Sequence, residues 1–589
     1  MGTAIAIITI VTITTEWHGF LRVGKIRPLV MILPTMFYWL LFLLAAPFFA
    51  AARPNVMVII TDDQGYGDLG FHGNPQIHTP NLDRFARESV RCKYFYVSPV
   101  CAPTRSSLMT GRYNYRTGVV DTYLGRAMMF SGEVTLAEIF GGAGYRTGIF
   151  GKWHLGDNYP MRAMDQGFHE SLVHKGGGIA QPSDPPGGDS YFNPTLYRNG
   201  VAVKASGFCS DVFTDATIEF IKANRDRPFF VWLAFNAPHT PLEVPDADLA
   251  QYREIKDPDT AKVYALVSNV DSNIGRLLKH VPTNTIVIFL TDNGPQQPRY
   301  NSGMRGRKGT VYDGGIRVPF FIRWPDKLPG DRDVQQIAAH IDLAPTLLDA
   351  CEIPKPRGVA FDGLSLWPLL TGARVQWPKR TLYFQWHRGD VPELHRAFAA
   401  RDARFKLVQA LGANEQWVGK KSFELFDMER DPSESHNIAE DHPEVVKRLL
   451  AAYEEWFATM KSARGFALPS IIVGTTNENP VMLTRQDWRG ARASWGTNGL
   501  GHWDLEIARS GTYDLTAEFP ELAQETTIEL RCQDQNRRQT LGAGDKRAHF
   551  PDVPLQRGPA RLEASLQVGG TNHGVHYVFL EHRLGKVPD

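Results

Sequence analysis

Cysteine is scarce in this chain. Five occur in 589 residues (Cys92, Cys101, Cys209, Cys351 and Cys532), and no two form a C-x-x-C pair. That spacing points to neither a cysteine zinc site nor a thioredoxin-like redox motif. The odd, low count is not a disulfide framework either, although it leaves one bridge open. A charge excess is also missing: 64 Lys and Arg stand against 63 Asp and Glu, a formal net charge of +1. With no basic surplus to neutralise a phosphate backbone, no nucleic-acid partner is expected. The one Gly-rich stretch that runs into a lysine, Gly144 to Lys152, lacks Walker spacing. It carries Trp153 where a phosphate loop needs Ser or Thr.

Apolar residues are plentiful, at 43% of the chain, and the length is enough for two to four domains with sizeable cores. Residues 1–52 stand apart. Arg22, Lys25 and Arg27 precede a charge-free run from Pro28 to Ala52 that ends Phe-Phe-Ala-Ala-Ala. A basic flank, an apolar run and a small-residue end read as a secretory signal. The run is also long enough to span a bilayer, so an uncleaved N-terminal membrane anchor is the alternative. Both place the protein outside the cytoplasm, in a periplasmic, extracellular or lysosome-like space.

From residue 53 to about 350 the chain alternates buried strands with helices. Asn55 to Ile60 is an apolar, β-branched run of the kind buried on both faces of a sheet. It ends in Asp62-Asp63, at the sheet edge where α/β folds keep their sites. Thr285 to Leu290 repeats the arrangement and ends in Asp292-Asn293. Pro228 to Phe235 is a third such strand, and prolines flank the His239 that follows it. Ile149-Phe150 ends a fourth, with Lys152 and His154 expected to leave it on one side by alternation. Helices are expected from Pro80, over Thr135 to Gly144, Ala261 to His280 and Ile341 to Leu348. Gly176 to Asn193 should be an irregular loop, and Arg299, Arg305, Arg307 and Lys308 form a basic one.

Between these lies Pro99 to Gly111, Pro-Val-Cys-Ala-Pro-Thr-Arg-Ser-Ser-Leu-Met-Thr-Gly. Pro103 suits the first turn of a helix, which puts Cys101 at or just before its N-terminus, where the dipole favours an anion. Arg105, one turn on, would point back over Cys101. Taken alone, Cys101 reads as a small buried hydrophobe at a helix start. With Asp62, Asp63, Asp292 and Asn293 it gains an all-oxygen neighbourhood suited to calcium or magnesium rather than zinc. With Arg105, Lys152, His154, His239 and Lys308 the set can hold an anionic group and break a bond to it.

After residue 350 the pattern changes. Residues 351–464 read as a smaller α+β subdomain, with antiparallel strands within Thr381 to Val408 and Ser422 to Phe426 and a helix over Pro443 to Lys461. Residues 465–589 carry short β-rich runs separated by Gly and Asn, as in an all-β sandwich. Trp488, Trp495 and Trp503 in that region could stack on sugar rings, but core packing is the stronger expectation.

The Cys101 stretch resembles the signature of the type I, arylsulfatase-like sulfatases, and Gly144 to His154 is similar to that family's second signature. Phe150 departs from it in bulk, a difference expected to affect packing. Asp62 to Asp68, Pro238-His239, Thr291 to Gly294 and Lys308 to Pro319 also match, in collinear order from about Pro54 to Lys461. The resemblance implies an alkaline-phosphatase-like α/β fold, with a large mixed sheet flanked by helices over 53–350. It implies hydrolysis of sulfate monoesters, of a sulfated carbohydrate or an aryl sulfate.

It further implies that a formylglycine-generating or anaerobic maturation enzyme oxidises Cys101 to 3-oxoalanine (formylglycine), with Pro103 and Arg105 marking the site. Asp62, Asp63, Asp292, Asn293 and the modified Cys101 would then bind Ca2+. Lys152 and Lys308 would neutralise the sulfate, and Arg105 would orient the hydrated aldehyde. Asp292 and then His154 would take up protons from it, while His239 or Lys308 protonates the leaving oxygen. Two rival readings remain. One is a phosphomonoester or phosphonate hydrolase of the same superfamily. The other is a glycan-binding surface protein with an inactive enzyme domain.

Overall fold

Val56 to Ile60 is apolar at every residue because the strand β1 (Asn55–Thr61) is covered on both faces. A computed structural model describes residues 53–184, 190–415 and 422–583. The expected signal or anchor, 1–52, lies outside the described residues. Alternate side chains of β1 serve two cores. Val56, Val58 and Ile60 face the helices Cys101–Thr110, Leu136–Gly142 and Leu343–Ala350. Met57 and Ile59 face Pro80–Arg87, Cys209–Ala223 and Pro258–Leu278.

The strands of this first sheet are, in chain order, β1, β2 (Val90–Tyr96), β3 (Arg146–Lys152), β4 (Glu170–His174), β5 (Thr195–Arg198) and β6 (Val201–Lys204). They continue with β7 (Phe229–Ala234), β8 (Thr285–Thr291), β9 (Arg317–Val318), β10 (Phe320–Arg323) and β11 (Arg332–Ala339). The spatial order is β11-β2-β10-β8-β1-β7-β3-β4-β5-β6, with β9 beside β2. The centre is parallel: β8, β1, β7, β3 and β4 run in one direction, and β10 and β5 are antiparallel to their central neighbours. Register decides what happens at the carboxyl edge. Thr61 pairs with Thr291 and Ile60 with Ala234, so Asp62, Asp292 and the chain after Ala234 leave the sheet side by side.

The glycines before Lys152 serve packing, as the expected strand end requires. Gly151 has φ 106°, and a Cβ there would overlap the carbonyl oxygen of Ala234 on β7. Phe150 is buried in the second core against Phe220, with ring centroids 5.6 Å apart. The strand stops at Lys152, however, and His154 takes a left-handed φ of 62°. A turn, not strand alternation, aims the imidazole.

A second, antiparallel sheet holds β12 (Leu382–Gln385), β13 (Phe398–Arg401), β14 (Phe405–Gln409) and β15 (Glu424–Asp427) in sequence order. The helix Pro443–Arg464 buries Leu449, Tyr453 and Met460 in the same core as these strands.

Beyond it lie β16 (Ile471–Val473), β17 (Val481–Thr484), β18 (His502–Ile507), β19 (Gly511–Glu518) and β20 (Thr526–Cys532). They are followed by β21 (Gln535–Leu541), β22 (Arg547–Leu555), β23 (Gly558–Val568), β24 (Thr571–Gly574) and β25 (Tyr577–His582). These form two sheets, β16-β18-β23-β20-β21 with β24 on β23, and β17-β25-β19-β22. Both contribute to one shared core, a sandwich as the spacing predicts. All five cysteines are buried and free. Among the described residues no helix is long and apolar enough to cross a membrane.

The sandwich packs directly on the first sheet's loops. Leu124, Met128 and Met161 join its core. Asn158 Nδ2 donates to Met482 O (3.1 Å), Gln486 Nε2 to Thr122 O (3.0 Å) and Tyr577 Oη to Asp184 O (2.7 Å). Asp487 is buried in this interface. Loss of hydration, and then the nearby Asp157 carboxylate, push its pKa up to about 8 despite Lys175 and Arg489.

An unfolded aspartate titrates near about 3.9. The folded chain therefore keeps a proton that the unfolded chain has released, and this contribution is lost as pH rises from about 4 through about 8. Asp487→Asn should flatten that dependence. Thermal melts from about pH 6 to about pH 9 should show Tm falling less steeply in the variant. Parallel curves would contradict the assignment.

Candidate active site

The helix Cys101–Thr110 is buried on every side and has no solvent face. Leu108 and Met109 are part of that all-round burial. Cys101 is its first residue. Burial raises the thiol pKa, and the nearby Lys152 and Lys308 only partly offset it. As a thiol, Cys101 is therefore protonated at neutral pH.

Around it the strand ends converge. Arg105 donates from Nε (3.1 Å) and Nη2 (2.6 Å) to Asp292 Oδ2, lies 3.7 Å from Asp62 Oδ2, and gives Nη1 to Lys152 O (3.2 Å). Lys152 Nζ pairs with Asp62 Oδ2. Asp63 takes a left-handed φ of 62°, and its amide donates to Asp292 Oδ1 (3.2 Å). Its carboxylate accepts from Asn293 Nδ2 (2.8 Å) and from Lys308 Nζ (2.6 Å to Oδ1), with His239 Nε2 at 3.8 Å. Burial would raise its pKa, but Lys308 and His239 overcome that and hold it below the usual carboxylate range. Asp292 goes the other way. Burial and then Asp62 lift it to about 6 against Arg105 and Lys152.

Two oxygens in this cluster lack any partner although fully buried: Asp62 Oδ1 and Asn293 Oδ1. Ligand atoms of Asp62, Cys101 and Asp292 lie within 4.8 Å of one another, as do those of Asp62, Asp63 and His239. Orphaned oxygens among close carboxylates fit a hard cation, since oxygen donors of this kind are what calcium or magnesium takes.

Both histidines are neutral, and their hydrogen bonds set the tautomers. His154 Nε2 lies 2.8 Å from Thr122 O, a carbonyl that can only accept, so the proton is on Nε2. Nδ1 is left as a free lone pair, buried and unpartnered. Burial first, and Lys152 next, hold the pKa of His154 well below its ordinary value. His239 donates Nδ1–H to Thr240 O (2.6 Å) and presents Nε2 towards Asp63. Burial lowers it to about 3, against the pull of Asp63.

All ten residues singled out in the sequence thus meet at one place. The structure also divides the basic loop into four separate roles. Arg299 locks Asp68 (2.6 Å) and the backbone oxygen of Asp63 (2.9 Å), and Arg305 lies over Tyr312 at 3.9 Å and reaches Glu424 at 3.4 Å. Lys308 pairs with Asp63, while the Arg307 side chain has no acidic partner among the described residues.

Sequence reasoning missed the outer wall. A cavity of about 690 Å3 opens above Cys101, His154, His239 and Lys308, and its wall includes Tyr123, Trp386, Arg388 and Trp495. Nothing in their spacing marks Tyr123, Trp386 and Arg388, and Trp495 stands out only as one of three tryptophans for which core packing is the stronger expectation. Of the three tryptophans, Trp488 and Trp503 are core, as expected, and only Trp495 reaches the cavity.

Comparison with known proteins adds the following. The family model described as Sulfatase matches residues 54–353, and that described as N-sulphoglucosamine sulphohydrolase, C-terminal, matches 307–458. Arylsulfatase A of Homo sapiens is 32% identical over 469 residues, covering 70% of this chain and 89% of that one. N-acetylgalactosamine-6-sulfatase of Canis lupus familiaris is 31% identical over 373 residues, covering 58% of this chain and 70% of that one. A crystal structure of Ps i-CgsB in complex with k-i-k-neocarrahexaose has a TM-score of 0.62 and 27% identity, covering 72% of this chain and 96% of that one. Neither matched family model extends past residue 458.

Because Gly151 sets how closely β3 approaches β7, and with it the position of Lys152, Gly151→Ala should cost about 3 kcal/mol or more. Denaturant unfolding measures this, and a loss below about 1 kcal/mol would mean that the strand yields.

Proposed function

Since the chain belongs to the sulfatase family, we propose that this hydrolase of sulfuric esters depends on calcium and formylglycine and acts on a sulfated carbohydrate. The observation that carries the cofactor reading is the pair of buried, unpartnered oxygens, Asp62 Oδ1 and Asn293 Oδ1, beside Cys101 and three cations. Asp62, Asp63, Asp292, Asn293 and residue 101 would hold calcium, with magnesium as the alternative hard cation. When present, the ion supplies Lewis-acid polarisation and the oxidised Cys101 supplies a hydrated aldehyde as nucleophile. The raised pKa of the thiol supports this reading, since the unmodified side chain is a poor nucleophile where it stands.

The remaining steps belong to the chain's own side chains. Lys308 at the cavity lining and Lys152, buried behind it on Asp62, would neutralise the sulfate oxygens. Arg105 fixes Asp292 and, through Lys152 O, the end of β3, which orients residue 101 between them. His154 accepts a proton at its free Nδ1, for which the Thr122 carbonyl has already chosen the tautomer. His239 and Lys308 both line the cavity and are the two candidates for protonating the leaving oxygen: Lys308 carries a proton as it stands, and His239 would first have to take one up at Nε2. Two of the relatives support a carbohydrate substrate. One is named for a sulfated amino sugar, and the neighbour at 27% identity was crystallised with a neocarrahexaose. We also take 1–52 as the export segment, 53–350 as the catalytic domain, 351–464 as its smaller partner and 465–589 as an accessory domain.

Three measurements test this. Peptide mapping of the exported protein should find Cys101 as formylglycine, and an unmodified thiol in active protein would overturn the mechanism. Cys101→Ser should lower multiple-turnover kcat by about 10³-fold or more, as expected when a nucleophile is lost. Turnover of alkyl and aryl sulfates by His239→Ala and Lys308→Ala assigns the acid. The variant lacking it should lose more on the alkyl sulfate, whose leaving group needs the proton, by about 10²-fold. Equal losses on both substrates in both variants would remove the two residues from that role.

A further inference from the structure

Trp495 belongs to the C-terminal sandwich, yet it stands in the wall of the catalytic cavity. It lies in the connection between β17 and β18, and that loop is held firmly. The buried Arg485 binds the carbonyls of Gly496 (2.7 Å), Gly574 (2.6 Å) and Val575 (3.0 Å) and lies over the core ring of Trp488 at 4.9 Å. Trp495 meets Tyr123 edge-on, with ring centroids 5.2 Å apart. Arg388 then covers Tyr123 at 4.4 Å and Trp386 at 4.8 Å. Asp121 fixes the inner end of this stack, accepting from Arg388 (2.6 Å) and Trp386 Nε1 (2.9 Å). The result is one aromatic and guanidinium wall that runs from the sandwich towards the nucleophile.

The charge on the cavity lining is one-sided. Its charged side chains are Arg307, Lys308 and Arg388, and among the described residues no carboxylate lines it. Asp63 neutralises Lys308 and Asp121 neutralises Arg388. Arg307 is exposed and without an acidic partner among the described residues. A cavity of about 690 Å3 is also larger than one sulfate group needs, and falls in the range of sites for ligands of several rings.

We propose that the C-terminal sandwich completes the substrate site. In this assignment Trp495 provides a platform for a sugar ring outside the cleavage position. Arg307 takes a second anionic group on the same saccharide, so that the preferred substrate is a multiply charged sulfated oligosaccharide. The apolar face of an indole suits the C–H face of a sugar, and an exposed arginine suits a sulfate or a carboxylate. This rests on the hydrolase reading above. It adds that the accessory region is part of the enzyme's specificity.

The test separates the two. Turnover of nitrophenyl sulfate by the unsubstituted enzyme examines the hydrolase reading alone. The subsite is examined by calorimetric binding to full-length Cys101→Ala protein, with hexasaccharides and disaccharides of chondroitin sulfate and of κ-carrageenan as probes. The first series offers a carboxylate as well as sulfate, and the second sulfate only. The hexasaccharide of at least one series should bind about ten-fold more tightly than its disaccharide. Trp495→Ala and Arg307→Gln should each reduce that advantage to about three-fold or less. Trp495→Phe should keep most of it, and Arg307→Gln should also weaken the salt dependence. Hexasaccharides binding no better than disaccharides in both series would overturn the proposal, as would variants that weaken both lengths alike.

Discussion

Buried carboxylates can sit side by side only where cations are built in among them, because an unpaired ion inside a protein costs many kcal/mol. Here Asp62, Asp63 and Asp292 stand together in the interior, and Lys152, Arg105 and Lys308 come to them from three different elements. The rest of the structure follows from keeping that balance. The helix Cys101–Thr110 is buried all round because Arg105 must reach Asp292 from inside. Gly151 must be glycine so that β3 can lie close enough to bring Lys152 to Asp62. Even so the compensation is incomplete. Asp62 Oδ1 and Asn293 Oδ1 keep unused lone pairs, which is the condition for holding a cation.

The same economy explains why the histidines are neutral. Both are crowded by cations and removed from water, and each gives its one N–H to a backbone carbonyl. A neutral imidazole with a fixed tautomer is a directed base, and the direction comes from Thr122 and Thr240, residues with no chemistry of their own. Arg299 plays a comparable supporting part by tying Asp68 and the backbone of Asp63 together.

Much of the central machinery was legible in the chain. Asp62-Asp63 and Asp292-Asn293 could be placed because each follows an unbroken apolar strand, and a strand buried on both faces has only its ends free for polar groups. Cys101, Arg105, Lys152, His154, His239 and Lys308 could be named from motif spacing. What spacing could not supply was the manner of approach. Alternation along β3 predicted that Lys152 and His154 share a side, whereas the strand ends at Lys152 and a left-handed residue turns the imidazole inward. Helix-terminus reasoning suggested an anion site at Cys101, whereas the thiol itself is raised by burial, which Lys152 and Lys308 only partly offset. The β-sandwich could be expected from its turns, whereas its individual strands are harder to read, since β16, β17 and β24 are short and β21 and β22 lie on sheet edges.

The sequence by itself determined which groups are available: paired acids and an amide after two strands, a cysteine at a helix start, and bases and cations at strand ends. These are local properties, set by which side chain follows which strand. Only the tertiary structure decided what the chemistry can be applied to. Tyr123, the Trp386–Arg388 pair and Trp495 come from three distant regions of the chain and none lies in a motif, so their meeting in one wall depends on how those regions pack together. The same packing separates Trp495 from Trp488 and Trp503, three tryptophans equivalent on the printed chain. Two of them fill a core, and one faces the cavity above Cys101.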